Sequence, residues 1–445
     1  MANSHNLLPS NRPVDGLLRP VQSFMRMEAA SGILLLIMAI VALVWANSPW
    51  SASYFALWEI PVTLGAGPLL VQKPLLLWVN DGLMALFFFL VGLEIKREVM
   101  VGELASPRKA MLPIIAALGG ILVPAGMYVL VTGGTPYVSG WGIPMATDIA
   151  FALGILALLG TRAPVSLKIF LTALAIIDDL AAVLVIAVFY TSTIKFVALA
   201  IGGALLVVLV AGNRLGIQKT AFYVVFGFFL WLAFLKSGVH ATIAGVLLAL
   251  TVPAGRRLDV ASFREKAASL LSGLSSSPKG EHTSTEDEQN VVHSLEVLSK
   301  GSETPLIRME HALHGWVAFM IMPVFALANA GVDLRAVSLL DALVHPVALG
   351  IIAGLFIGKQ VGVALFAWIA IKTGVAQMPK DVTWIQLYGV AILTGVGFTM
   401  SLFIAGLSFD DPAILDRAKT GILAASFLAG ALGYVLIRQF GAKEN

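Results

Sequence analysis

The sequence predicts an all-α polytopic membrane protein with about twelve transmembrane helices, and three observations carry that reading. Of its 445 residues 58% are hydrophobic and 12% charged, with a mean hydropathy of +0.90, against a soluble norm of roughly half apolar and a quarter charged. The apolar residues gather into runs of about 20, the length a bilayer requires. The basic residues fall in alternate loops between those runs, as the positive-inside rule demands.

Runs bounded by charges, Pro or Gly define the spans. The first begins near Ala29, after a polar segment, residues 1–28, that carries Arg12, Arg19 and Arg26. That segment has no short apolar core followed by a small-residue cleavage site, so no removable leader is expected and the first span reads as an uncleaved anchor. The second span starts near Pro74 and runs through NDGLMALFFFLVGLEIKRE; the third starts near Met111. The fourth, near Ile143, contains IPMATDIAFALGIL, and the fifth, near Lys168, contains LKIFLTALAIIDDLAAVLVIAVFY. The sixth and seventh begin near Phe196 and Thr220, and the eighth, near Val239, is short. The last four begin near His311, Pro346, Val382 and Thr420, which places the membrane domain at residues 29–440 with a tail at 441–445.

Between the eighth and ninth spans, residues 255–305 include SSSPKGEHTSTEDEQN. This stretch is too polar to bury a core and reads as a disordered loop, either an inert linker or a regulatory element. With these boundaries, 22 of the 29 basic residues lie in the termini and the even-numbered loops, six lie in the other loops, and Lys359 lies inside a span. Both termini and the 255–305 loop are therefore predicted cytoplasmic.

Composition also excludes whole classes of chemistry. There is no cysteine, so neither disulfides nor thiolate metal sites can contribute. The net charge of +3 is small and the basic residues are dispersed over short loops, which argues against a nucleic-acid partner. No H-E-x-x-H occurs, and EHALH lacks the order of that motif.

The strongest functional signal is Asp178-Asp179, two adjacent carboxylates in the middle of an apolar helix. One charged side chain at mid-bilayer costs from about 2.5 to more than 10 kcal/mol, so such groups mark functional sites. Burial and mutual repulsion favour keeping a proton on at least one of the pair until a cation displaces it. Na+ and H+ would then compete for the same hard oxygen ligands. Asp148 and Lys359 are the next intramembrane charges. Asp148 reads as offsetting a helix end rather than coordinating an ion. Lys359 could release a proton itself or pair with Asp178.

Gly395 and Gly397 interrupt the eleventh span, and Thr147 and Asp148 follow Pro144 in the fourth. Interrupted apolar segments point to broken helices, whose half-helix ends place partial charges beside a midplane site. Two juxtamembrane clusters, Glu94, Lys96, Arg97 and Glu98 in one and Glu310, His311 and His314 in the other, admit either a pH gate or plain positive-inside anchoring with surface ion pairs. His240 reads as a hydrogen-bonded packing residue.

These blocks, with LKSGVHATIAGV, HGWVAFMIMPVFALANAG, GIIAGLFIGK and GVGFTMSLFIA, resemble the NhaA-type sodium/proton antiporter family over residues 20–440. The resemblance implies inverted repeats and two crossed, interrupted helices. It also implies exchange of cytoplasmic Na+ or Li+ for external H+, electrogenic and pH-regulated, serving sodium and pH homeostasis in the bacterial inner membrane. Asp178 and Asp179 would bind Na+ and H+. Asp148 and Lys359 would neutralise the facing helix ends, with Thr147 nearby. Glu94, Lys96, Arg97, Glu98, Glu310, His311 and His314 would form the pH-sensing region, and His240 would match the family's periplasmic histidine. The resemblance suggests a homodimer among membrane lipids, and implies no cofactor and no enzymatic activity.

Two departures stand out: Gln360 follows Lys359 where the family commonly has proline, and the 255–305 insertion is longer than usual. Two rival readings use the same acids. A channel-like pathway would lack obligatory counter-flux. An intramembrane aspartyl protease needs two carboxyls sharing a proton, whereas neighbours on one helix point apart.

Overall fold

The computed structural model describes residues 29–65, 67, 70–191, 194–255, 260–274, 290–295, 298, 303–335 and 339–440. The expected N-terminal segment 1–28, the tail 441–445 and parts of the 255–305 loop lie outside the described residues.

Helix is what an apolar chain must form in a bilayer, where no water satisfies backbone N–H and C=O groups. The first elements among the described residues are α1 (Ala30–Ala46) and α2 (Ser51–Glu59), bent by 112° at their junction. An antiparallel hairpin follows, β1 (Pro61–Leu64) with β2 (Val71–Pro74), pairing Pro61 with Pro74 and Leu64 with Val71. It is an exception to the all-α expectation. Next come α3 (Leu75–Val101) and α4 (Pro107–Thr132), then the 3-10 segment Pro136–Met145, α5 (Ile149–Leu158) and α6 (Val165–Phe189). Helices α7 (Phe196–Arg214), α8 (Thr220–Ser237) and α9 (Ala241–Thr251) follow. Gly238, at φ 85°, closes α8 in the left-handed conformation that only glycine adopts without strain. The remainder is α10 (Val260–Leu274), α11 (Pro305–Asn329), α12 (Leu339–Val344), α13 (Pro346–Lys372), α14 (Trp384–Leu393), α15 (Phe398–Ser408) and α16 (Pro412–Phe440).

Among the described residues nine helices are long and apolar enough to cross a membrane, and up to eleven spans result if each bent pair counts as one. The protein is a multi-pass membrane protein. The expected twelve included α9, whose 11 residues rise about 16 Å at roughly 1.5 Å each, about half of a 30 Å hydrocarbon core. One correction concerns residues 255–305, read as disordered: Val260–Leu274 within them is helical.

The chain divides into two compact units. One comprises Met1–Asn80, Ser106–Ile186 and Ala318–Asn445, the other Asp81–Ala105 and Ala187–Val317. In the first, Leu112, Leu156, Leu174, Val363 and Leu387 pack a core shared by α4, α5, α6, α13 and α14. Helices α4 and α13 approach closely because small residues face each other: a Cβ on Gly362 would fall 2.7 Å from the Gly119 carbonyl carbon. In the second unit Phe89, Leu209, Tyr223, Leu230 and Leu306 form the corresponding core.

Candidate ion-binding site

Two apolar segments of the first unit are interrupted, and the interruptions meet. In one, the 3-10 segment gives way to extended backbone at Ala146 and Asp148 before α5 begins. In the other, Thr394 to Gly397 separate α14 from α15. The Asp148 N–H donates to the Val396 carbonyl at 2.7 Å, joining the two breaks backbone to backbone. Glycine permits the approach, since a Cβ on Gly397 would lie 2.8 Å from Leu355 Cδ2 and 3.1 Å from the Ala146 carbonyl oxygen.

A helix start presents unpaired N–H groups that attract negative charge. The buried Asp148 carboxylate meets two such starts. Its Oδ1 accepts from the Phe151 N–H at 2.9 Å in α5, and its Oδ2 accepts from the Thr399 N–H at 3.0 Å in α15 and from the Thr399 hydroxyl.

Asp178 and Asp179 lie on α6, both buried. Asp178 Oδ2 stands 2.5 Å from Lys359 Nζ and 2.7 Å from Thr147 Oγ1, and that hydroxyl is also 3.0 Å from the Thr394 carbonyl oxygen. Lys359 reaches this point from α13, immediately after a π-helical turn at Ala353–Gly358. Such turns are rare and frequent at functional sites. The helix continues through Gln360, whose side-chain amide donates to the Phe356 carbonyl while its Oε1 accepts from the Tyr388 hydroxyl at 2.8 Å. The Gln360 side chain thus ties α13 to α14.

Asp178 Oδ1 has no hydrogen-bond partner among the described residues. A buried acceptor in that condition is costly, and a proton or a small cation at that oxygen would supply what it lacks. No group of three or more His, Cys, Asp or Glu comes together among the described residues. A cation here would therefore be held by carboxylate, hydroxyl and backbone oxygens, all hard ligands.

The two juxtamembrane clusters meet in the second unit. Arg97 bridges Glu98 and Glu310, each at 3.0 Å, Glu98 also accepts the Glu103 N–H, and His314 lies 3.9 Å from Glu94. Lys96 and His311 turn elsewhere. The Lys96 ammonium donates to the Leu250 and Val252 carbonyls at the end of α9, and His311 lies 3.7 Å from Glu303. His240 Nε2 is hydrogen-bonded to the Tyr190 carbonyl.

Sequence reasoning missed Thr394, Thr399 and Tyr388. The first two flank the Gly395 and Gly397 pair in TGVGFT, so threonines bordering a helix break were an available clue. Nothing local marked Tyr388, which is 28 residues from its partner.

The model of the Na+/H+ antiporter 1 family matches residues 22–437. The chain belongs to the Na+/H+ antiporter 1 family. It is 54% identical over 429 residues to the Na(+)/H(+) antiporter NhaA of Oleidesulfovibrio alaskensis, covering 96% of this chain and 95% of that one. Identity to the Na(+)/H(+) antiporter NhaA of Koribacter versatilis is 51% over 425 residues, covering 96% and 92%. Identity to the Na(+)/H(+) antiporter NhaA 2 of Syntrophotalea carbinolica is 48% over 431 residues, covering 96% and 98%. The matched range of the Na+/H+ antiporter 1 family takes in both helix breaks and all three of Asp178, Asp179 and Lys359.

Proposed function

We propose that this chain exchanges cytoplasmic Na+ or Li+ for external H+ across the bacterial inner membrane, with both termini cytoplasmic, and that Asp178 and Asp179 are its ion ligands. The observation that carries the site is the buried Asp178 carboxylate, shared between Lys359 and Thr147 beside two helix breaks, with Oδ1 lacking a partner among the described residues. An entering cation takes the carboxylate oxygens, Lys359 gives up its pairing with Asp178, and protons leave the site. Reprotonation on the other face restores the pair. Loaded and protonated sites both permit the access switch, which a ligand drives only through differential affinity for the two states. More than one proton entering per Na+ expelled makes the cycle electrogenic. Thr147, Asp148 and Lys359 hold the broken helices and couple the proton.

Regulation is assigned to Glu94, Lys96, Arg97, Glu98, Glu310, His311 and His314. Supporting it are the Arg97 to Glu310 pair and the His314 to Glu94 approach. A homodimer surrounded by membrane lipid is the proposed assembly.

Proton flux in sealed proteoliposomes with an imposed pH gradient tests the assignment. Added Na+ or Li+ should collapse the gradient with wild-type protein and leave it intact with Asp179→Asn. Exchange at wild-type rate by that variant would overturn the site. Collapse without counter-flux of Na+ would indicate a channel.

A further inference from the structure

Helix α10 lies within the 255–305 insertion and takes no part in the ion site. At about 100° per residue, Phe263, Ala267, Leu270 and Leu271 share an arc of roughly 100° on one side of it. Lys266 borders that arc on one edge and Arg264 on the other, while Glu265 stands opposite its centre. An apolar stripe edged by basic residues with the acidic one facing away is the pattern of a helix lying in a membrane interface. Arg264, Glu265 and Lys266 are exposed, Phe263, Ala267 and Leu270 are half-buried, and Leu271 is 51% exposed.

The fold keeps this helix near the bilayer. The insertion leaves the end of α9 and returns to the start of α11, and its two feet are hydrogen-bonded to each other, Leu306 N–H to the Pro253 carbonyl at 3.2 Å. Only eight residues separate Thr251 from Val260. The linker contains Arg256 and Arg257.

We propose that α10 is an interfacial anchor, laid in the headgroup region of the membrane that holds the protein, with its apolar face toward the acyl chains and Arg264 and Lys266 on anionic lipid phosphates. Long basic side chains can extend from the edges of a buried face to reach headgroups. Each basic residue at an anionic surface favours the bound state by about fivefold, so the two together contribute about 25-fold.

The absence of native cysteine makes the test direct. Single-cysteine variants Leu271→Cys and Glu265→Cys of the full chain, each labelled with an environment-sensitive fluorophore, are reconstituted into phosphatidylcholine vesicles with or without phosphatidylglycerol. The label at 271 should be quenched by brominated acyl chains and protected from aqueous iodide, more strongly with phosphatidylglycerol present. The label at 265 should show the reverse. Adding Arg264→Gln and Lys266→Gln to the 271 variant should lower the lipid-bound to unbound ratio about 25-fold in anionic vesicles and little in neutral ones. Free access of iodide to the label at 271 in both vesicle types would overturn the proposal. So would protection from both quenchers, which would place α10 against protein instead of lipid.

Discussion

Lys359 Nζ and Asp178 Oδ2 stand 2.5 Å apart with neither side chain exposed, although 181 positions separate them in the chain. Two charges withdrawn from water attract strongly, yet each carries a large desolvation cost, so the pair is stable only while both partners are present. Lys359→Ala should lower stability by about 3 kcal/mol or more, read as loss of thermal stability in detergent. Combining it with Asp178→Asn should recover much of that loss. A single variant no less stable than the double would show that the pair does not hold this part of the fold.

The Asp148 carboxylate depends on Thr399 for two of its hydrogen bonds, one from the backbone and one from the hydroxyl. Thr399→Val keeps the shape and the N–H but deletes the hydroxyl. The expected cost is about 1.5–3 kcal/mol, the range for a hydrogen bond to a charged group. Thr399→Ser should restore most of it, and equal instability of the valine and serine variants would point to packing as the cause.

Gln360 connects the helix that carries Lys359 to Tyr388 on α14. Gln360→Leu and Tyr388→Phe should each destabilise by about 0.5–1.5 kcal/mol. In a double-mutant cycle the two should be non-additive by a similar amount, because each removes the same bond. Strict additivity would mean that the two side chains act independently.

His345 lies outside the spans, where its Nδ1 accepts the Val347 N–H at the start of α13. Partial burial, and then the nearby positive charge of Arg417, hold its imidazole below the usual range. Its contribution to stability is therefore full above the unfolded value of about 6.5 and is lost as pH falls from there through the lower folded value, because the unfolded chain binds the proton more readily. Thermal stability should decline with acidification over that window, and His345→Asn, which keeps a capping acceptor without titrating there, should flatten the decline. An unchanged slope would assign the effect to another group.

Much of the molecule was legible in the sequence because membrane insertion imposes strong rules on composition. Apolar runs bounded by charge located the long helices, and a carboxylate pair inside one of them stood out by its insertion cost. The 11-residue α9 was harder to score, since its apolar run looks like a span while its length does not reach across a bilayer. The hairpin at residues 61–74 carried too short a pattern to register among helices. At the candidate site, Asp178, Lys359 and Thr147 could be named individually, but their distances could not, because they follow from glycine-mediated approach of α4 to α13 and from one backbone bond between Asp148 and Val396. Lys96 illustrates the opposite limit. Its neighbours in sequence are ion-pairing residues, whereas its own ammonium serves two carbonyls at the end of α9.

The Thr147 hydroxyl has a single hydrogen and two acceptors within reach, Asp178 Oδ2 and the Thr394 carbonyl oxygen. Asp178 Oδ2 keeps Lys359 in either case, so the rotation moves one donor on and off the carboxylate without leaving that oxygen bare. On the proposed site, a proton and an alkali cation would therefore both meet a carboxylate whose donor count one hydroxyl can change.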